Sequence, residues 1–414
     1  MSAVHRTEAA CLLEHGSTYP ARVGLEPRDS GDLILAGFKR GGFALYFGDA
    51  PFFHFDLEGR WQRAIIEDMH YLKGLDGTVH ALDRIREEAN LVLKRRRLGE
   101  TEAAELDATI RATALDLIGR LDRDELIRLE PTGQRSTMID PESLREFLSR
   151  IAGWDAAAWR AHGERFHRVY PAPGFVPPEC SGAVVLDVKS PEEFAHSLSE
   201  VAGLWGRRLL QAKTLYLAGP LALKHPQCVI EEWLAAITRL FPLGPAVDDA
   251  SPRFSGVHAY LDDFAAPRPD KAAWARLRNL GLARVSLGVV SGDETIRASL
   301  GKTWANHELV QTALELKQAG LGASVLVHVG AGGRARAAPH HKGTSTLLDR
   351  LSLGRGDIVF LLDEREIRDF MVGNLEPLSN VEWLEHERAL KDALAPLKKR
   401  GAKVVSYTME KQWS

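Results

Sequence analysis

The sequence predicts an α/β protein, a partial (β/α)6 TIM-like barrel preceded by an N-terminal α+β domain. Three observations predict it. From residue 183 onward, short continuous apolar runs alternate with helical patterns, as in a buried parallel sheet built from βαβ units. Before residue 170, short aromatic and β-branched runs are punctuated by Arg-Gly-Gly, Gly-Asp and Glu-Gly, which are hairpin signals. Between the two patterns, YPAPGFVPPE at 170–179 carries four prolines in ten residues and reads as a linker. A length of 414 residues exceeds one typical core, so the boundaries fall at 1–170, 171–179 and 180–414.

In the first domain, residues 30–75 read as an antiparallel meander. The basic run Lys94-Arg95-Arg96-Arg97 follows, without interleaved aromatics, and reads as a solvated strand or helix end. Residues 101–123 read as a helix with Leu106, Ile110, Leu117 and Leu121 near one face and Thr101 as cap. Asp140-Pro141-Glu142 opens a second helix, with Asp as cap and Pro in the first turn. WDAAAWRAHGERFHRV supplies a third.

In the second domain the expected strands are 183–188, 213–219, 255–261, 283–290, 323–330 and 357–363, with 402–408 closing the chain. Helices follow from about Pro191, from Pro226 to Leu240, from Pro269, as a pair after the fourth strand, near 344–352 and over 380–399. Six strand–helix units suit a barrel or partial barrel; an open doubly wound sheet is the alternative. In either, ligands sit at the C-terminal strand ends.

Bulk properties narrow the function. A net charge of −3 provides no overall attraction to nucleic acid or to an anionic membrane. No apolar run approaches the roughly 20 residues needed to span a bilayer. The start MSAVHRTEAACLLEHG lacks the charged and apolar regions of a secretory signal, so the expected location is cytoplasmic. Three cysteines, Cys11, Cys180 and Cys228, lie far apart and form no local clasp.

The second half resembles the radical S-adenosylmethionine (radical SAM) superfamily over roughly residues 180–365. Its most specific segment is GLARVSLGVVSGDETIRASLGKTWANHELVQTALELKQAGLGASVLVHVGAGG at 281–333. There the family has a strand, a Gly-x-Glu-Ser-Gly-Asp turn, a Leu-Gly-Lys helix end and a strand ending in a glycine turn. The resemblance implies a [4Fe–4S] cluster held by Cys-x3-Cys-x2-Cys just after the first barrel strand, with one iron left open for SAM. This chain departs from that pattern. Val188 is followed by Lys189-Ser190-Pro191-Glu192-Glu193-Phe194, already a helix start, and Val290 stands where the family has Glu. Neither a cluster nor radical chemistry is therefore expected.

The same resemblance implies residual SAM or nucleoside binding at Gly219, His258, Tyr260, Asp262, Ser291, Gly330 and Gly332. Pro220, beside Gly219, lacks a backbone donor. Glycines after strands also serve turns alone, and strand-end carboxylates also cap helices.

Other constellations are weaker. His225-x2-Cys228 has metal-ligand spacing but no second pair, so a structural role is expected. Arg334, Arg336, His340, His341 and Lys342 form a basic segment that reads as a solvated loop or an anion attractor. His162 and His167 do not share a helix face. Asp49, His54, Asp56 and Trp61 form no reactive set. The expected function is a degenerate superfamily member acting as a binding or partner subunit, beside an intact radical SAM paralogue, with its N-terminal domain as contact surface. Two alternatives stand: an enzyme of another class using His258, Tyr260, Asp262 and His328 on a small molecule, or a radical enzyme with cluster ligands from a partner chain.

Overall fold

In the computed structural model, residues 21–29, 31–39, 41–87, 90–130, 137–171, 183–219, 221–244, 253–363 and 378–407 are described. Cys11, Cys180, Pro220 and the 171–179 linker beyond Pro171 lie outside them.

The N-terminal half begins with a meander. Strands β1 (Ala21–Pro27), β2 (Ile34–Lys39), β3 (Gly42–Phe47), β4 (Phe52–Asp56), β5 (Trp61–Ile66), β6 (Met69–Lys73), β7 (Val79–Glu87) and β8 (Asn90–Arg97) pair in sequence order. All these pairs are antiparallel. The meander is longer than the expected 30–75, and the basic run is the end of β8. Helix α1 (Glu100–Asp122) follows, then β9 (Leu126–Leu129) and β10 (Thr137–Met138), both beside β1, and helices α2 (Pro141–Ala152) and α3 (Ala156–Val169). Alternation explains the core. Val23, Ile34, Phe43, Phe53 and Trp61 face Leu106, Ile110, Leu117, Leu144 and Phe147 from the helices. Asp140 caps α2 as expected, accepting from Ser143 N. Thr101 does not cap α1: the helix begins one residue earlier, behind Gly99.

The C-terminal half is a seven-stranded sheet in unbroken sequence order. Its strands are β11 (Val184–Asp187), β12 (Leu215–Ala218), β13 (Val257–Leu261), β14 (Leu282–Val290), β15 (Gly322–Val329), β16 (Ile358–Asp363) and β17 (Lys403–Tyr407). Every neighbouring pair is parallel. Strand order never reverses, so the switch point of a doubly wound sheet is absent among the described strands. The connecting helices are α4 (Pro191–Trp205), α5 (Gln227–Leu240), α6 (Lys271–Asn279), α7 (Glu294–Ser299), α8 (Asn306–Gln318), α9 (Ala337–Asp349), α10 (Asn380–Ala393) and α11 (Ala395–Lys399). One face of the sheet, with Leu186, Leu217, Ala259, Leu287, Val325 and Leu361, shares a core with helical Leu198, Trp233, Leu277, Leu309, Leu347 and Leu390. The opposite face carries Tyr216, Tyr260, Leu326, Phe360, Leu362 and Tyr407.

Polar contacts join the halves at the end of α4. Arg60, in the β4–β5 turn, donates to Leu204 O (2.8 Å) and Trp205 O (2.6 Å). Glu58 accepts from Arg207 Nε (3.0 Å), and Gln211 Nε2 donates to Gly41 O (2.6 Å). Among the described residues no helix is long and apolar enough to cross a membrane.

Candidate functional site

The C-terminal ends of β13, β14 and β15 bring together Tyr260, Asp262 and His328 from the residues that the sequence singles out. Asp262, one residue beyond β13, accepts from Lys302 Nζ at 2.7 Å. Lys302 follows Gly301, whose φ of +76° lets the chain leave α7. Tyr260 reaches over β14, where a Cβ on Gly288 would lie 2.1 Å from its hydroxyl and 2.6 Å from Asp262 Cβ. Only glycine leaves that room. His328, near the end of β15, has its Nδ1 sealed from solvent with no hydrogen-bond partner among the described residues. Burial, with help from Lys302 and His340, pushes its pKa down to about 3.

His258 is set apart from this rim. It is the second residue of β13 and pairs with Arg284, while Tyr260 pairs with Ser286. Arg284 is tied to Ala323 O and Gly356 O, at the N-terminal ends of β15 and β16. His258 therefore lies deep in the sheet, where burial and Arg284 hold it at about 4. The strand-end placement expected from the sequence is corrected by register.

The β14 turn is built for packing. Val290 has φ +64° and sits between Val289 O and Ser291 N, which are bonded at 2.7 Å. This three-residue turn strains a β-branched side chain by about 1–3 kcal/mol. Contacts with Ile296, Leu300 and Ala331 offset the strain. Ser291 is fully buried. Its hydroxyl contacts His340 Nδ1 at 2.8 Å and accepts from Asp293 N at 3.1 Å. Asp293 caps α7 through Thr295 N and Ile296 N. Gly292 lies so close to α9 that an added Cβ would be 2.2 Å from Gly343 O. Gly292→Ala is expected to destabilise the fold by about 1–3 kcal/mol by forcing this pair apart; an unchanged denaturation midpoint would refute that.

The basic segment 334–343 is no solvated loop. Residues 334–336 form a 3-10 turn and α9 starts at Ala337, well before the expected 344. His340 is fully buried, and burial, with His341 and His386 adding to it, lowers its pKa to about 3. His341 packs between His340, tilted to it, and His386, edge-on to it, with ring centroids 5.6 Å and 5.2 Å away.

The glycines serve turns at the same rim. Gly330, Gly332 and Gly333 have φ of +85°, +86° and +64°. Gly219 (φ +122°) follows β12, where a Cβ would meet Val188 Cγ2 at 3.0 Å. Asp187, which sequence reading passed over, ends β11, and burial raises its pKa. Its signal was the lone carboxylate in AVVLDV.

Other sequence candidates take structural places. His225 packs edge-on against Trp233, Cys228 is exposed, and among the described residues no three His, Cys, Asp or Glu could hold a metal ion together. His162 is buried, with Nε2 2.8 Å from Leu75 O. Asp56 pairs with Arg60, and Trp61 donates to Asp107. His54 stacks edge-on against Tyr46, and Asp49 is exposed.

The cluster implied by the resemblance does not fit. Only Val188, Lys189 and Ser190 join β11 to α4, and none carries a thiol. Ser190 caps the helix and Trp233 Nε1 donates to Lys189 O at 3.0 Å, so the connection is already packed. No protein-family model and no curated sequence matches the chain, and the likeness to radical SAM proteins is carried by the quoted residues alone.

Proposed function

We propose that the chain is a barrel protein of radical SAM type without its iron–sulfur clasp, a cytoplasmic binding subunit that works beside an intact paralogue. The observation that carries this reading is the three-residue connection from β11 to α4. A Cys-x3-Cys-x2-Cys clasp alone needs eight residues, and a cluster needs thiolates on several sides. The sequential parallel sheet is compatible with a partial barrel. Its rim offers Tyr260, the Asp262–Lys302 pair and His328 beside an apolar cluster of Leu326, Phe360, Leu362 and Tyr407. Such a rim suits a small polar molecule with a flat ring, a nucleoside or SAM itself among them.

Anaerobic reconstitution with iron and sulfide tests the reading. The expected result is no stoichiometric metal and no SAM cleavage, with or without the partner chain. Brown protein that cleaves SAM would overturn it. In a thermal-shift series, SAM or adenosine is expected to raise the melting temperature, and Tyr260→Ala is expected to abolish the shift.

A second reading, an enzyme of another class, is favoured by the meeting of Tyr260, Asp262, Lys302 and His328 at one rim. It is the weaker reading because a histidine held at about 3 is a poor base near neutral pH.

A further inference from the structure

One face of the N-terminal meander packs on α1 and α2, and the other exposes Arg22, Leu35, Lys39, Arg63 and Arg97. We propose that this outer face binds single-stranded nucleic acid, with the phosphates on a basic row of the sheet and the bases on an aromatic row beside it. The inference does not rest on the function proposed for the rim.

Register builds the basic row. Arg22 pairs with Gly37, Gly37 with Ala44, Ala44 with His54 and His54 with Arg63. The line continues through Leu72 and His80 to Arg97. Directly paired residues point to one face, so a single line across β1–β8 carries three arginines, two histidines and no acid. With strands about 4.8 Å apart, the line is about 34 Å long. Arg22, Arg63 and Arg97 have no ion-pair partner among the described residues. At Gly37 and Ala44, Lys39 reaches across the row to the Tyr46 hydroxyl at 3.3 Å. A groove of about 400 Å³ lies there, with Arg22 and Lys39 as its cations and Glu130 as its one acid. Burial lowers the His54 pKa, and Lys39 and Arg63 lower it further, so the local field is positive.

The second row lies two residues along each strand. It runs from Leu35 through Tyr46, Phe52 and Ile65 to His70, again without an acid. Tyr46 stands edge-on to Phe52 at 5.1 Å and to His54 at 5.7 Å. The two rows are about 7 Å apart, an offset of the kind that separates the phosphates of a strand from its bases. Single strands are held by a cationic track with rings on which bases stack. A duplex hides its base faces, and an acidic peptide answers the charges but brings no flat face to the rings. The net charge of −3 conceals the track because the cations gather on one side of one sheet.

Fluorescence anisotropy of the full chain with labelled oligo(dT), oligo(U), a DNA duplex and poly-glutamate tests this. Both single strands are expected to bind, and the duplex and poly-glutamate at least about fivefold more weakly, since neither offers a base face. Contacts from Arg22, Lys39, Arg63 and Arg97 set a slope of log affinity on log salt of about −2.8, and the Arg63→Gln/Arg97→Gln double variant is expected to halve it to about −1.4. Phe52→Leu keeps an apolar side chain and removes the ring; it is expected to weaken binding about fivefold or more at an unchanged slope. The exposed control Lys398→Gln is expected to bind as the parent does. Absence of binding to either single strand, or an unchanged slope in the double variant, overturns the proposal. Poly-glutamate bound as tightly as the oligonucleotides also overturns it, and makes the face a docking surface for an acidic protein.

Discussion

Replacing Asp56 by alanine is expected to cost about 3–5 kcal/mol of stability, because it strands a buried cation. Asp56 and Arg60 are 0% and 4% exposed at their side chains and 2.7 Å apart. The carboxylate also accepts from Glu58 N (2.9 Å) and Arg60 N (3.1 Å), which holds the β4–β5 turn. Arg60 spends its other nitrogens on the last carbonyls of α4, where a cation is favoured by the helix dipole. One guanidinium therefore joins the two halves of the chain. Without Asp56 its charge has no countercharge in contact, and a total margin of about 5–15 kcal/mol cannot absorb much of that. Equilibrium urea unfolding checks the prediction. Asp56→Ala is expected to lower the midpoint strongly. The Asp56→Ala/Arg60→Met double variant is expected to recover part of the loss, since removing both charges costs less than stranding one. An unshifted transition for Asp56→Ala would show that the pair contributes nothing.

What the sequence made legible follows from how local each feature is. The inner parallel strands are buried on both faces, so they read as continuous apolar runs such as LYLA and VLVHV, and the limits of all seven strands fall within a few residues of expectation. The second half of the meander was hidden because Val79–Glu87 and Asn90–Arg97 pair mostly with each other and are rich in charge, unlike core strands. The start of α9 was missed because Pro339-His340-His341 resembles a breaker followed by a polar loop; a proline in the first turn loses no hydrogen bond there, and one histidine faces inward. Register was not legible at all. Nothing in VHAYL places His258 beside Arg284 and Tyr260 over Gly288, because both depend on how β13 aligns with β14. The Asp56–Arg60 tether was equally hidden, since its acceptors lie 144 and 145 residues further along. At the candidate site, Tyr260, Asp262 and His328 were nameable as strand-end polar residues. Lys302 needed the third dimension to be placed beside Asp262.

Mild acid is expected to unfold the chain earlier than carboxylate titration alone would. His162, His258 and His340 are 7%, 8% and 0% exposed. Burial is the main cause that lowers all three, to about 4, about 4 and about 3, with Arg60, Arg284 and His341 as the leading charged neighbours. His328, at about 3, acts in the same direction. In the unfolded chain a histidine titrates near 6.5. Between that value and the folded one, the unfolded state binds more protons, so stability rises with pH and falls as pH is lowered. Above about pH 6.5 the contribution is complete; it is lost progressively toward pH 4 and then pH 3. Each histidine withdraws about 2 kcal/mol between pH 8 and pH 5, so three together rival the whole folding margin. Urea midpoints measured across this range are expected to fall steeply below pH 6. His258 offers the cleanest dissection, since its Nδ1 has no partner among the described residues and nothing is left unpaired by its loss. His258→Phe is expected to flatten the slope by about one proton's worth, 1.4 kcal/mol per pH unit, whatever it does to stability at pH 8. A parent slope near zero between pH 6.5 and pH 5 would mean that these rings accept protons while folded, and that the burial argued for them is wrong.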